Sequence, residues 1–346
     1  MRATVILAKA ALVGAVLALL PTLAAAQQTV RIGLGAPTLS FLPIWAARAL
    51  DTFKPQGLNA TAVALPGGDP SALAALDAGD IELAAVGPDA MLRAAAKGQP
   101  FEIVYSLMSK VTLQLVVSPA FMERAGIKPT DPLPKRLAAL KGALVGATAL
   151  AGAQEIAARW LAAKGGLDPK NDIKVAQVGN PTAIQAALEA NRIDAFVLSP
   201  PEGFLAEKAG TGVVLVSLGD DFPLLAKQPY LVLVAKKPIS PATADLITKT
   251  AKAMQDASAA TLTKPDETAD AIQKQFFAKA DPQAIAAALK LMSSGVAEGG
   301  KIDVESMQNA LTFAKEVGTN FGKEFDAKAA EDDLWTNRFV DRAKAK

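Results

Sequence analysis

The stretch ALDAGDIELAAVGP, residues 75–88, decides the fold, because ALEANRIDAFVLSP, residues 187–200, repeats its order of residue types. In the first copy a helix-forming run stops at Gly79, a short apolar run follows, and Pro88 comes next. A glycine is the usual residue just past a helix end, and proline fits the first turn of a new helix. Each copy therefore predicts a helix, a buried strand and the start of a second helix.

The repetition extends on both sides of these stretches. Upstream, Gly68-Asp69-Pro70 resembles Gly179-Asn180-Pro181, and Gly57-Leu58 resembles Gly166-Leu167. Apolar strand-like runs alternate with helical runs, which is typical of a mainly parallel sheet with helices on both faces. We predict two similar lobes; the alternative is two unrelated alanine-rich units with the same turn residues. The expected strands are 30–34, 59–65, 81–86 and 101–107, then 143–148, 173–178, 193–198 and 213–218.

Two more apolar runs, 113–118 and 230–235, follow the two units and bracket the second. We predict that they are strands at which the chain crosses from one lobe to the other and back. The remainder is amphipathic and predicts helices that close over the first lobe. They are expected at 242–261, 266–277, 282–292 and 304–317, with a loosely packed polar helix at 326–346 that Trp335 and Phe339 anchor.

The first 26 residues have the pattern of a secretory signal peptide. Arg2 and Lys9 supply the positive region, an eleven-residue apolar run ends before Pro21, and Ala24-Ala25-Ala26 gives a cleavage pattern. The alternative is a retained membrane anchor, but about 20 apolar residues are needed to span a bilayer. The chain has no cysteine, so an N-terminal cysteine cannot carry a lipid. We expect an exported, periplasmic protein with no later membrane span.

Composition excludes several chemistries. The chain of 346 residues contains no Cys and no His, so it has no disulfide, no thiolate nucleophile, no Ser–His–Asp triad and no histidine-ligated metal. The net charge of +2 comes entirely from Arg2 and Lys9 in the leader, and the rest is balanced. A nucleic-acid binder normally carries a basic surplus. No phosphate-binding loop or calcium-loop pattern occurs, and we expect neither a metal nor a cofactor.

In parallel α/β sheets, ligands bind outside the carboxyl ends of the strands, near helix N-termini. Two lobes joined by crossing strands would turn these ends toward one cleft. Several candidates have a structural alternative: Asn180, like Asp69, is expected to cap its own helix, and Met108 could fill the core. Asp89 and Glu202 suit the positive end of a helix dipole. The candidate ligand contacts are Thr38, Ser40, Phe41, Asp89, Met108, Thr148, Gln154, Asn180, Ser199 and Glu202.

The order of these motifs resembles the solute-binding proteins of ABC importers, in the nitrate/sulfonate/taurine group, which is related to thiamine-precursor-binding proteins. The resemblance covers nearly all of residues 29–320, and its motifs include 75–82, Leu115-Val116-Val117-Ser118, 140–146 and Ile193-Asp194-Ala195. It implies a type II periplasmic-binding fold: two Rossmann-like lobes, two crossing segments and a C-terminal helical extension. Where sulfonate-binding relatives often carry Trp-Asp-Pro, this chain has Leu198-Ser199-Pro200.

The resemblance implies a periplasmic protein that captures a small polar or anionic solute, such as a sulfonate, nitrate or pyrimidine precursor. Its partners would be that solute and an inner-membrane ABC permease, and it would act as a monomer without catalysis. Two alternatives are an enzyme that uses Asp89 or Glu202, and a ligand-sensing partner of a membrane receptor. The expected units are a signal peptide at 1–26, lobe one at 27–114 and 232–320, lobe two at 115–231, and a tail at 321–346.

Overall fold

The structure is a computed structural model that describes residues 27–321 and 326–345. The expected signal peptide at 1–26 lies outside the described residues. Within the described part, no helix is long and apolar enough to cross a membrane.

Ten strands in the described residues form two five-stranded sheets. The strands of the first sheet are β1 (Gln28–Leu34), β2 (Leu58–Ala64), β3 (Leu83–Val86), β4 (Phe101–Met108) and β10 (Leu231–Lys236). Those of the second are β5 (Gln114–Val117), β6 (Leu144–Ala147), β7 (Lys174–Gln177), β8 (Ala195–Leu198) and β9 (Val213–Ser217).

The two sheets have the same topology. Their strand orders are β2-β1-β3-β10-β4 and β7-β6-β8-β5-β9. In each sheet one antiparallel strand, β10 or β5, lies between the third and fourth strands of the unit. These two strands are the predicted crossing segments: β5 is the first strand of the second sheet in chain order, and β10 completes the first sheet after the chain has left the second. The predicted pair of Rossmann-like lobes with two crossing strands is confirmed.

Helices connect the strands of both sheets. In the first unit they are α1 (Leu42–Ala49), α2 (Asp69–Ala78) and α3 (Pro88–Ala96). In the second they are α4 (Pro119–Ala125), α5 (Leu133–Ala138), α6 (Ala153–Lys164), α7 (Pro181–Glu189), α8 (Glu202–Ala209), α9 (Leu218–Asp221) and α10 (Pro223–Ala226). The C-terminal helices are α11 (Pro241–Thr263), α12 (Pro265–Phe276), α13 (Pro282–Ser293), α14 (Val304–Glu316) and α15 (Arg338–Lys344).

The repeated sequence gives repeated backbone geometry. Gly79 and its counterpart Asn191 both follow a helix with left-handed φ angles of 81° and 51°. At the first strand of each lobe, Gly33 and Gly146 leave room for an isoleucine, Ile81 or Ile193. A Cβ at either glycine would come within 2.4 Å or 2.6 Å of that isoleucine's Cδ1. The same local contacts therefore build both lobes.

The C-terminal helices pack on the first lobe, as the sequence predicts. Helices α11 and α12 contact α1, and α14 contacts α3. Trp45 of α1 packs against α12, with its ring centroid 5.1 Å from that of Phe276. Trp45 and, in the second lobe, Trp160 are both buried.

The prediction for the tail is partly wrong. Only α15 is helical in the described part of the tail, and the segment is firmly packed rather than loose. Trp335 and Phe339 are each 1% exposed, so the predicted anchors are confirmed. The backbone of Ile103 in the edge strand β4 donates to Leu334 O (2.9 Å) and accepts from Thr336 N (2.9 Å). The tail thus covers a sheet edge whose backbone groups need partners.

Candidate ligand-binding site

Loops that follow β1, β2 and β6 enclose a small cavity between the lobes, which we call the cleft cavity. Its volume is about 50 Å³, close to the space that one or two water molecules occupy. It lies at the carboxyl ends of parallel strands, where the sequence places the site. The lining residues are Gly35, Ala36, Thr38, Ser40, Phe41, Gly68, Asp69, Thr148, Ala149, Gly152, Ala153, Gln154, Tyr230 and Leu231.

Five candidate residues lie together around this cavity: Thr38, Ser40 and Phe41 from the first lobe, and Thr148 and Gln154 from the second. Within each lobe the polar side chains bond one another. The hydroxyls of Thr38 and Ser40 are 2.6 Å apart, and the Thr148 hydroxyl donates to Gln154 Oε1 over 3.2 Å. The cavity therefore presents hydroxyl and amide groups from both lobes.

A second cavity of about 30 Å³, the inner cavity, adjoins the first and shares Ala153, Tyr230 and Leu231 with it. Its walls are mostly apolar, and its polar side chains are those of Asp89, Gln228 and Tyr230. The lining residues are Gly87, Pro88, Asp89, Val111, Leu113, Ala153, Ile156, Ala157, Leu218, Leu225, Gln228, Pro229, Tyr230, Leu231 and Phe313.

Asp69 does not cap its own helix, so that expectation is wrong. Gly68 occupies the N-cap position of α2, and Asp69 Oδ2 instead accepts the backbone N–H of Gly87 over 3.0 Å. The carboxylate thus joins the loop after β2 to the loop after β3. Burial raises its pKa to about 7, an effect that Asp89 reinforces, while the Gly87 N–H and Arg93 oppose it.

Asp89 lies close to the same glycine and lines the inner cavity. Its side chain forms an ion pair with Arg93, one turn further along α3, and the residue is 7% exposed. A Cβ at Gly87 would come within 2.8 Å of Asp89 Oδ1 and 3.3 Å of Asp69 Oδ2. Gly87 therefore allows the two carboxylates to approach the same point. In the described residues, no cluster of three potential ligands could hold a metal ion.

Ser199 and Glu202 lie on the second lobe's side. The Ser199 hydroxyl is 2.9 Å from that of Thr112 and 3.1 Å from that of Tyr230. These three hydroxyls form a network between the segments that lead into the crossing strands β5 and β10. Glu202 lies in a separate groove of about 610 Å³ between the lobes, which Thr38 also lines. Burial raises the Glu202 pKa, and the hydrogen bond from Gln185 Nε2 (3.0 Å) opposes this.

The structure does not bring Met108 and Asn180 to either small cavity. Met108 ends β4, is fully buried and packs in the core, which is the alternative that the sequence left open. Asn180 is exposed and caps α7, because its Oδ1 accepts the N–H of Ala183 over 3.0 Å. Its expected capping role is confirmed.

Two cleft residues, Gln228 and Tyr230, were missed as site candidates, and Asp69 was weighed mainly as a helix cap. Gln228 and Tyr230 precede or begin the second crossing strand, whose apolar character gives no signal of a site. Their backbones are fixed on the first lobe, since Gln228 N donates to Ser109 O (3.1 Å) and Tyr230 N to Met108 O (2.7 Å). Polar residues at the start of a crossing strand are the signal that could have found them.

Two lobes of equal topology, joined by two crossing strands around an enclosed cavity, define the periplasmic-binding fold. The chain belongs to the NMT1-like family, whose model matches residues 24–275. Among curated proteins no sequence matches the chain.

Solved structures share this fold. A protein from Bordetella bronchiseptica RB50 is 24% identical with a TM-score of 0.77, covering 92% of this chain and 98% of that one. The periplasmic nitrate-binding protein NrtA from Synechocystis PCC 6803 is 15% identical with a TM-score of 0.72, covering 92% and 88%. The alkanesulfonate-binding protein SsuA from Xanthomonas axonopodis pv. citri, bound to MOPS, is 17% identical with a TM-score of 0.66, covering 90% and 100%.

Proposed function

We propose that this chain is the solute-binding component of an ABC importer and captures a small polar solute between its lobes. The observation that carries the proposal is the cleft cavity, which polar residues from both lobes enclose at the carboxyl ends of their strands. A ligand that contacts both lobes favours the closed arrangement of the molecule. The structural neighbours named as nitrate- and alkanesulfonate-binding proteins support this role.

Contacts between the lobes at the edges of the cleft support a closing mechanism. Glu316 of α14 accepts from Trp160 Nε1 (2.7 Å) and Lys164 Nζ (2.9 Å) of α6. On another side, Lys208 of α8 forms an ion pair with Asp281 at the start of α13. Such partly exposed ion pairs contribute little each, about 0–1 kcal/mol, so opening has a low cost without ligand. Solute binding would then supply the free energy that holds the lobes together.

We infer binding without catalysis. The cleft hydroxyls are engaged with one another, as in the pair Thr38 and Ser40 and the set Thr112, Ser199 and Tyr230. Covalent catalysis requires a hydroxyl that is paired with a general base. The chain has no histidine, and burial raises the pKa of the Tyr230 hydroxyl, so this group stays protonated.

The cellular setting is part of the same proposal. Residues 1–26 would direct export to the periplasm, where the protein, as a monomer, would deliver its solute to an inner-membrane permease. Lobe two would span 115–231, and lobe one would combine 27–114 with 232–320, followed by the tail at 321–346. The signal-peptide pattern and the crossing strands β5 and β10 support this arrangement.

Calorimetry and small-angle X-ray scattering on the purified protein test the proposal. The panel contains sulfonates, carboxylates, nitrate, pyrimidines and amidines. We expect at least one compound to bind and to reduce the radius of gyration. A Glu316→Gln, Lys208→Met variant weakens both interlobe contacts without altering the cleft, so it should favour the open arrangement and weaken binding by no more than about thirtyfold. No binding and no compaction across the panel would contradict the proposed function.

A further inference from the structure

The charged side chains that line the cleft cavity and the inner cavity all carry the same sign. The charged residues that line them are both acids: Asp69 in the cleft cavity and Asp89 in the inner cavity. Neither lining contains a lysine or arginine. Arg93 pairs with Asp89 but lines neither cavity. An oxyanion in the cleft cavity would meet the Asp69 carboxylate, and one in the inner cavity would meet Asp89, whose charge Arg93 balances from outside the lining.

Gln228 gives an independent indication of what the inner cavity binds. The residue is only 3% exposed, and its side-chain oxygen Oε1 is buried without a hydrogen-bond donor. A buried acceptor without a donor has a free-energy cost, and native proteins rarely leave one unpaired. The backbone hydrogen bonds of Gln228 and Tyr230 to β4 and its following loop hold this segment in place. Because Gln228 lines the inner cavity, rotation of its side chain would turn this unpaired oxygen toward a solute that donates a hydrogen bond.

The carboxylates also have unused acceptor capacity. Among the described residues, Asp69 uses Oδ2 for the Gly87 N–H and makes no hydrogen bond through Oδ1. Asp89 Oδ2 pairs with Arg93. Ionised carboxylates accept hydrogen bonds and cannot donate them. Asp89 and Gln228 thus contribute acceptor groups to the apolar inner cavity, and Asp69 contributes one to the adjoining cleft cavity.

Resting on the proposed function, we propose that the cleft selects its solute through N–H donors, as an amidinium, ammonium or amine group on a compact apolar body. The apolar walls, which include Leu113, Ile156 and Phe313, receive the body of the solute. The acceptor groups receive its N–H bonds, which are strong when one partner is charged. This solute class differs in sign from the sulfonate or nitrate that the sequence resemblance implies.

Pairs of probes with the same shape and opposite charge test this inference. Formamidinium is compared with formate, acetamidinium with acetate, and guanidinium with nitrate, each by calorimetry at pH 8. We expect at least one cation to bind at least tenfold more tightly than its anion. Equal binding, or tighter binding of the anions, overturns the inference while leaving solute binding intact. Binding of no probe also overturns it, and absence of compaction with the whole panel would count against the proposed function itself.

Variants assign the effect to the named groups. Asp69→Asn and Gln228→Leu should each weaken binding of the preferred cation several-fold, whereas Asp80→Asn, an exposed acid of the same lobe, should leave it unchanged. Circular dichroism and thermal melts confirm that each variant folds. Equal affinity in all three variants would place the probe outside the proposed site and overturn the inference.

A pH series distinguishes the effect of Asp69 on cation binding from the effects of its neighbours Asp89, Arg93 and Tyr230. With a pKa of about 7, Asp69 gains a proton as the pH falls, and cation binding should weaken by about tenfold from pH 8 to pH 6. Asp69→Asn should abolish this slope, and Asp89→Asn should keep it. A slope that persists in Asp69→Asn would contradict the assignment.

Discussion

The two lobes share a topology but differ at the loops that face the cleft. Asp69 of lobe one and Asn180 of lobe two occupy equivalent places before a proline, and their side chains have nearly the same shape. Asn180 caps its own helix, whereas Asp69 bonds to Gly87 in a neighbouring loop. One strand later, Asp89 of lobe one stands where lobe two has Pro201. The common scaffold therefore sets the position of the cleft, whereas the acidic residues that line its two small cavities come from one lobe.

The lobes also differ at their edge strands, because the tail covers β4 of the first sheet. Disrupting this cover should have the largest effect on stability of the changes considered. The tail covers β4 through the backbone of Ile103 and the buried ring of Trp335. Trp335→Ala should destabilise the protein by about 3–5 kcal/mol, because it leaves a large cavity in a packed core. Urea denaturation measures the loss, and Leu291→Ala, which truncates an exposed side chain, is the control.

Hydrogen exchange locates that effect. In Trp335→Ala, amides of β4 and β10 should lose protection, while those of β8 in the second lobe should keep it. Equal loss in both lobes would show that the tail stabilises the whole molecule, and the contrast between the edges would not hold.

The second prediction concerns the pH dependence that Asp69 confers on lobe one. Its pKa is about 3.9 in an unfolded chain and about 7 in the fold, so folding favours the protonated form. Its contribution to stability is complete below about pH 4 and is lost as the pH rises through 7, by at most about 4 kcal/mol. Asp69→Asn should therefore gain stability relative to the unmodified protein between pH 5 and pH 8.

Denaturation of both proteins at pH 5 and pH 8 measures this difference. The matched double variant Asp69→Asn, Asn180→Asp removes the buried acid and places one at the equivalent, exposed position of lobe two, and it should not restore the destabilisation at high pH. If this double variant loses as much stability between pH 5 and pH 8 as the unmodified protein does, burial at Asp69 is not the cause.

The third prediction compares Gly35 with Thr148, its counterpart two residues after the repeated strand glycine. A Cβ at Gly35 would lie 2.8 Å from the backbone of both Gly68 and Asp69. Gly35→Ala should therefore cost about 1–3 kcal/mol, because the loop that holds Asp69 must shift. Thr148→Ala removes one partly exposed hydrogen bond to Gln154 and should cost about 0.5–1 kcal/mol.

Thermal and urea denaturation rank the two variants. Equal costs would mean that the loop after β2 approaches β1 no more closely than its counterpart does in lobe two. Because Gly35→Ala displaces Asp69, its binding of the preferred cationic probe should also weaken, whatever its stability.

Sequence reasoning succeeded where local rules dominate. Gly79 and Asn191 end their helices in the left-handed region, and Asn180 caps its helix, because neighbours in the chain decide these conformations. It failed at Asp69, since the acceptor role depends on Gly87, which only the folded sheet brings near. Local patterns likewise could not show that residues of β4 would pair with the tail more than 200 residues later.

The location of the site was predictable from the sequence, but the sign of the charged residues that line it was not. The loops after β1 and β6 follow from strand order, and they supplied five of the expected residues. The inner cavity depends on Gln228 and Tyr230, which approach Asp89 only because β10 inserts between β3 and β4. A parallel sheet's strand order predicts where a ligand binds, but long-range insertion decides which polar atoms meet it.

The position of β10 also sets an order of events during biosynthesis. All strands of the second sheet lie in one continuous stretch, 114–217, whereas the first sheet needs β10 from residues 231–236. Contacts between distant residues form slowly, because the intervening chain must first be arranged. As the chain emerges from its N-terminus, the second lobe can complete its sheet while the first still has an open gap between β3 and β4. The lobe that is made first is therefore the last to finish folding.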